Sequence, residues 1–434
     1  MANISESGTF THHYNEDLRP QFHFTAQSGW LNDPNGLVYY RGEYHLFFQY
    51  NPYGTAWGHM HWGHAVSRDL VHWKQLPAVL APDELGEMYS GSAVIDWHNT
   101  AGFGKEALIA IYTAEGKRIG PDVATVQCIA ISTDGGRTLT KYAGNPILDE
   151  IAPGNRDPKV SWHTPTERWI MALYMPEEGR DTVQFFASRD LKSWTYLSQI
   201  DGFYECPDFF ELDGQWVLFG ADGRYVLGDF DGTTFHIISG KHTDDFGANV
   251  YAAQTWSDIP VDDGRRLIIA WMRGGQFPHM PFNQQMTVPS ELSIRRGRLH
   301  KWPVRELETL RIFTHNSLDT LDASRLLLDI EATIEPRDAI DCGFRIGMTD
   351  VHYVAGDQQL FVGLHGAPVP MEEGGLRLRI LIDRTSIEVF AHDGLVVFTS
   401  SIPFQSNRPV RFYSHAGDAR LHDLRVHELK SIWR

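Results

Sequence analysis

At 434 residues the chain is longer than the roughly 250 to 300 residues at which a single hydrophobic core stops growing, so two domains are predicted. A formal charge of −17 and the lack of any polybasic run exclude a nucleic-acid backbone or an anionic membrane as partner, because affinity there comes from Lys and Arg neutralising phosphates. No stretch is apolar for long enough to cross a bilayer, and 39 Gly and 22 Pro set among short runs of Trp, Tyr, Phe, Val and Ile point to an all-β chain.

Met1 to Asp17 carry no apolar core of the secretory kind, and Cys128, Cys206 and Cys342 show no paired spacing. Together these predict a cytoplasmic protein. A trimmed signal peptide would leave the same start and a secreted one.

The first patterned stretch, residues 29 to 37, sets Asp33 between Asn32 and Pro34 beside Gly36. Pro34 fixes its own backbone angle, Asn and Gly tolerate turns, and the aromatic run from Leu37 to Tyr50 reads as strand, so Asp33 is expected where a strand begins. Further on, His59 and His61 share a strand face and His64 is near. No carboxylate or Cys completes a ligand set at a recognisable spacing, and no metal is expected.

A pattern then recurs. Ser67-Arg68-Asp69-Leu70, Ser132-Thr133-Asp134-Gly135, Ser188-Arg189-Asp190-Leu191 and the degenerate Gly228-Asp229-Phe230-Asp231 each follow an apolar run, turn at an aspartate and resume on an apolar or aromatic residue. Their spacing suits four-stranded propeller blades, with a fifth set from Leu267 through Trp302 to close a ring. Two more acidic contexts fall between the repeats: Arg156-Asp157-Pro158 and Glu205-Cys206-Pro207-Asp208. Singly, each is an ordinary strand-end turn.

Beyond Trp302, apolar residues three to four apart predict a short connecting helix, and alternating runs from Leu326 onward, broken by Gly- and Pro-bearing turns, predict a β-sandwich. The expected division is a propeller over 1–305, a linker helix over 306–315 and a sandwich over 316–434. Neither a Gly-x-x-x-x-Gly-Lys-Ser/Thr loop nor a Gly-x-Ser-x-Gly turn occurs, so neither a nucleotide cofactor nor serine hydrolase chemistry is expected.

Three separated motifs, Trp30-Leu31-Asn32-Asp33-Pro34-Asn35-Gly36, Arg156-Asp157-Pro158 and Glu205-Cys206-Pro207, resemble glycoside hydrolase family 32, the β-fructosidases that include invertases, levanases and inulinases. Tyr251-Ala252-Ala253 and the stretch Ile382 to Phe390 are similar to the family as well, so the likeness runs nearly end to end. It implies a five-bladed β-propeller followed by a β-sandwich, no cofactor, and a β-fructoside as substrate: sucrose, fructo-oligosaccharides, or an inulin- or levan-type fructan. It implies Asp33 as nucleophile, Glu205 as general acid and base, and Asp157 as the residue binding the fructosyl hydroxyls. Asn32, Gln49, Trp57, Tyr89, Ser90 and Arg156 match family positions around the sugar, with Trp271 added by the same reasoning. The sandwich would be structural, or serve substrate access or a homodimer contact.

Retention at a glycosidic carbon needs one carboxylate to attack and one carboxylic acid to protonate the leaving oxygen, roughly 5 to 5.5 Å apart. Glu205, in less polar surroundings near two anions, is expected to hold its proton to higher pH, while Arg156 favours the ionised form of Asp157. The alternatives are a fructosyltransferase on the same scaffold, or a carbohydrate-binding relative without turnover, whose mark would be the loss of an acid. The chain departs from the family pattern at Tyr89, Asn155, Asn249-Val250 and Ser290, positions expected at the rim of the pocket.

Overall fold

A computed structural model of the chain describes residues 14–177 and 179–433. Most of the opening segment behind the compartment expectation lies outside the described residues. Almost all regular structure is strand, in seven sheets.

Five sheets are blades. The first contains Gly29–Tyr40, Glu43–Asn51, His61–Ser67 and Lys74–Leu80, and the second Glu87–Asp96, Ala107–Glu115, Thr125–Ser132 and Thr140–Lys141. The third contains Arg156–His163, Arg168–Glu177, Arg180–Ser188 and Thr195–Asp201, and the fourth Asp208–Leu212, Gln215–Phe219, Arg224–Phe230 and Phe235–Ile237. The fifth contains Val250–Thr255, Arg266–Met272, Ser290–Arg295 and Arg298–Pro303. It therefore starts before the predicted Leu267. The ring closes where Phe282–Asn283 pairs in parallel with Gly29 and Trp30, which ties the fifth blade to the first.

Blades are covered on both faces, so their middle strands are mostly apolar and buried along both sides rather than alternating; all nine residues of Ala107–Glu115 are buried. Each pair of neighbouring blades encloses its own apolar cluster, and burying such side chains is the main favourable term holding the ring. The repeated aspartates sit in the outer hairpins of blades one to four. Each uses one carboxylate oxygen to accept two backbone N–H bonds: Asp69 from Val71 and His72, Asp134 from Arg137 and Thr138, Asp190 from Lys192 and Ser193, Asp231 from Thr233 and Thr234. The fifth blade turns instead through Arg295-Arg296-Gly297-Arg298.

The stretch 306–315, expected as one helix, is a 3-10 helix at Arg305–Leu310 followed by the strand Arg311–His315. Leu307 and Leu310 bury the helix on the propeller side, and Arg311 onward pairs with Arg420–Leu429 in the sandwich. Two sheets, of six and five strands, face each other over a second core.

Propeller and sandwich share a buried charge cluster. His23 Nδ1 lies 2.8 Å from Asp383 Oδ2 and Nε2 lies 2.8 Å from Glu388 Oε1, all three side chains being buried. Burial would lower the His23 pKa, but the two carboxylates outweigh it and hold it up at about 9. The ring is an imidazolium bonded at both nitrogens across the domain boundary.

Candidate active site

The propeller's innermost strands share a distortion. In blade one Asn32 and Asp33 together oppose Gln49; in blade two Tyr89 and Ser90 oppose Thr113; in blade three Asp157 and Pro158 oppose Leu173; in blade five Ala252 and Ala253 oppose Ala270. Two residues facing one is a β-bulge, which bends a strand and re-aims its side chains. In blade four the equivalent level precedes the strand, where Glu205 and Cys206 take left-handed φ of 46° and 39°, and the Ala221 N–H donates to the Tyr204 and Glu205 carbonyl oxygens. Asp157 is also left-handed, at 64°. Such conformations cost on the order of 1 to 3 kcal/mol each and gather where function needs a side chain aimed.

The bulges converge on a cavity of about 180 Å³ at one end of the ring. Every site residue named from the sequence lines it: Asp33, Asp157 and Glu205, with Asn32, Gln49, Trp57, Tyr89, Ser90, Arg156 and Trp271. Two more do so that sequence reasoning did not single out, Cys206 and Tyr251. Tyr251 stands one residue ahead of its blade's bulge, as Arg156 does in blade three, and its place in the family-like stretch Tyr251-Ala252-Ala253 is the signal that could have found it.

Asp33 Oδ2 accepts from Ser90 Oγ at 2.7 Å and lies 3.5 Å from the Cys206 thiol, whose sulfur is also 3.4 Å from Asp157 Oδ2. One half-buried cysteine thus touches two acids through its sulfur. The Cys206 N–H donates to Asp157 Oδ2 at 3.1 Å. Arg156 is steadied by the Gly154 carbonyl and the Tyr174 ring, and its Nη2 meets Glu205 Oε1 at 2.5 Å. Tyr251 donates its hydroxyl to Glu205 Oε2 at 2.6 Å.

These contacts reverse the expected proton distribution. Burial pushes Glu205 up, but the Tyr251 hydrogen bond and the Arg156 charge outweigh it and hold the acid below its ordinary value. Burial raises Asp157 to about 7 despite Arg156, with Glu205 and Asp33 adding to the rise. Asp33 is raised by burial against its bonds from Ser90 and Asn32. Adjacency in sequence suggested that Arg156 would serve Asp157. Its Nε is 3.7 Å from that carboxylate, whereas the shorter contact goes to Glu205.

The mouth is aromatic. Trp57, 44% exposed, meets the Tyr89 ring edge-on and lies under the Arg118 guanidinium; Trp271 contacts Trp30 and Tyr251 edge-on, and Arg273 covers Tyr251. Of the departures expected at this rim, only Tyr89 is there. Asn155 and Ser290 are buried outside the cavity, and Asn249 bridges the Arg273 carbonyl and the Ser401 N–H of the sandwich. A strand's buried side has no sequence mark that distinguishes it from its rim. Of the histidines considered for a metal, His61 bonds the His59 carbonyl and His64 pairs with His45.

Two matched segments span most of the chain: residues 23–303 match the glycosyl hydrolases family 32 N-terminal domain, and residues 306–428 the glycosyl hydrolases family 32 C terminal. A levanase of Bacillus subtilis (strain 168) is 40% identical over an alignment covering 97% of this chain and 72% of that one. The crystal structure of an exo-inulinase from Aspergillus awamori superposes with a TM-score of 0.85 at 27% identity, covering 97% of this chain and all of the other. A fructofuranosidase variant from Schwanniomyces occidentalis, solved in complex with fructosylnystose, superposes at 0.84 with 26% identity, covering 96% of this chain and 99% of the other.

Proposed function

The chain belongs to glycoside hydrolase family 32, and we propose that it is an exo-acting, retaining β-fructofuranosidase that releases terminal fructosyl units from sucrose, fructo-oligosaccharides or fructans. The observation that carries this reading is a small cavity with three acids from three blades around it, two of them touching one sulfur. At about 180 Å³ it is smaller than the roughly 300 to 1,000 Å³ of drug-sized sites, which suits one sugar ring and hence attack at a chain end.

Asp33 attacks the anomeric carbon, held in line by the Ser90 hydroxyl and the Cys206 thiol. Glu205 protonates the leaving oxygen and later takes a proton from water as the fructosyl-enzyme is hydrolysed. Asp157 and Arg156 bind ring hydroxyls. In the resting site Arg156 and Tyr251 favour the ionised form of Glu205. Acid catalysis therefore requires Glu205 to take up a proton from solvent as the substrate seats, an uptake favoured where sugar hydroxyls draw Arg156 away. Trp57, Tyr89 and Trp271 offer aromatic faces to the sugar at the mouth.

Incubation with sucrose, inulin, levan and short fructo-oligosaccharides, with products identified over time, tests the proposal. Free fructose as the first product supports exo hydrolysis. Longer oligosaccharides at high sucrose would favour the transferase reading, and mid-length fragments would refute end-wise attack. Asp33→Ala and Glu205→Ala should each lose at least about a hundredfold in kcat, and near-normal turnover by Asp33→Ala would end the proposal.

A further inference from the structure

A second cavity, of about 320 Å³, lies between the fifth blade and the sandwich and shares no lining residue with the candidate active site. Its propeller wall is the Arg295–Arg298 hairpin with His300, and its sandwich wall carries Arg377 and His392 together with two acids, Glu372 and Asp393. The charges do not balance. Arg377 Nη2 is 3.0 Å from Glu372 and 3.3 Å from Asp393, and Arg295 Nη1 is 3.7 Å from Asp393, which occupies both carboxylates. Arg296 and Arg298 have no carboxylate partner among the described residues.

Beside this space Arg298 Nε is buried without a hydrogen-bond partner, and His392 Nδ1, also buried, has only Glu372 Oε2 near it, at 3.6 Å. His392 is 2% exposed and its Nε2 donates to the Pro370 carbonyl at 3.0 Å, which leaves Nδ1 towards Glu372. Buried polar atoms are seldom left unpaired, and surplus positive charge in a cavity favours a counter-ion. Burial holds both His300 and His392 below the ordinary histidine value; Arg295 and Arg298 add to it at His300 against Asp393, while at His392 Glu372, the Pro370 carbonyl and Asp393 oppose it and Arg377 adds to it.

We propose that this cavity is an anion site that binds a phosphoryl group, free or as the ester of a small molecule, between the last blade and the sandwich. Guanidinium forks match phosphoryl oxygens in paired hydrogen bonds, and the volume leaves room for an ester's carbon skeleton. In a chain of charge −17 this pocket is a place where an anion is drawn in rather than repelled. Because it joins elements from both domains, the bound anion strengthens their junction.

Calorimetric titration and thermal unfolding of the full chain with inorganic phosphate, with glycerol 3-phosphate, and with chloride at matched ionic strength test this. Saturable one-to-one binding of a phosphoryl probe with a rise in Tm, absent with chloride, is expected, and affinity should fall about tenfold or more in Arg298→Gln. Tighter binding of the ester assigns an esterified ligand; equal or weaker binding assigns free phosphate. Arg296→Asn is a second variant, exposed and at a φ of 53° that Asn tolerates, and it should weaken binding several-fold while sucrose hydrolysis stays within about twofold. No heat, an equal response to chloride, or undiminished affinity in the folded variants overturns the proposal.

Discussion

The His23 cluster sets a measurable pH limit on how the two domains hold together. Its imidazole has a pKa of about 9 in the folded chain against 6.5 when free, and one pKa unit is worth about 1.36 kcal/mol, so the protonated ring contributes ~3 kcal/mol through linkage. Because the folded value is the higher one, that contribution is complete below pH 6.5, declines as pH rises, and is gone above about 9. Asp383 has its pKa lowered, burial being outweighed by His23 and by the Phe22 and Gln21 N–H bonds, so its own dependence falls at acid pH, outside this window. Thermal unfolding of the wild type and of His23→Gln at pH 6, 7.5 and 9.5 isolates the effect, since groups elsewhere titrate alike in both. The wild type should exceed the variant most at pH 6, and the gap should shrink by several degrees in Tm towards pH 9.5. Parallel curves would refute the argument, because they would mean that the ring carries no extra proton in the folded chain.

Three further outcomes follow from the site. Tyr251→Phe removes the 2.6 Å donor to Glu205, so the ionised form loses support, its pKa rises, and the basic limb of kcat/KM moves to higher pH; an unmoved limb in a folded variant would contradict the role given to Glu205. Gly91→Ala should cost about 1 to 3 kcal/mol in unfolding and raise KM, because a Cβ there would stand 2.0 Å from the Ile111 carbonyl oxygen and displace the bulge bearing Tyr89 and Ser90. Trp271→Ala forfeits the edge contacts with Trp30 and Tyr251 and an aromatic face for the sugar, and should raise KM about two- to tenfold with kcat largely kept.

Much was readable before any fold was known, for physical reasons. An Asp that collects two N–H bonds in a hairpin must have that side chain and that local sequence, so the four aspartate turns marked the outer edges of four blades. The acids came with Pro, Asn or Gly neighbours, residue types that backbone distortion favours. The bulge itself went unread, because it depends on the register of a partner strand rather than on the residues that bulge. The fifth blade lacks the aspartate, and its innermost strand was placed late.

Composition, periodicity and turn chemistry suffice for a two-domain β protein and for the stock of acids, amides and aromatics on which chemistry can draw, because each of these is a local property of the chain. Where charge resides is not local. Arg156 reaches Glu205 from another blade, Tyr251 reaches it from a third, and His23 finds Asp383 360 residues away. Ionisation depends on the distances and burial of groups that the chain brings together by folding, and a linear order of residues carries neither.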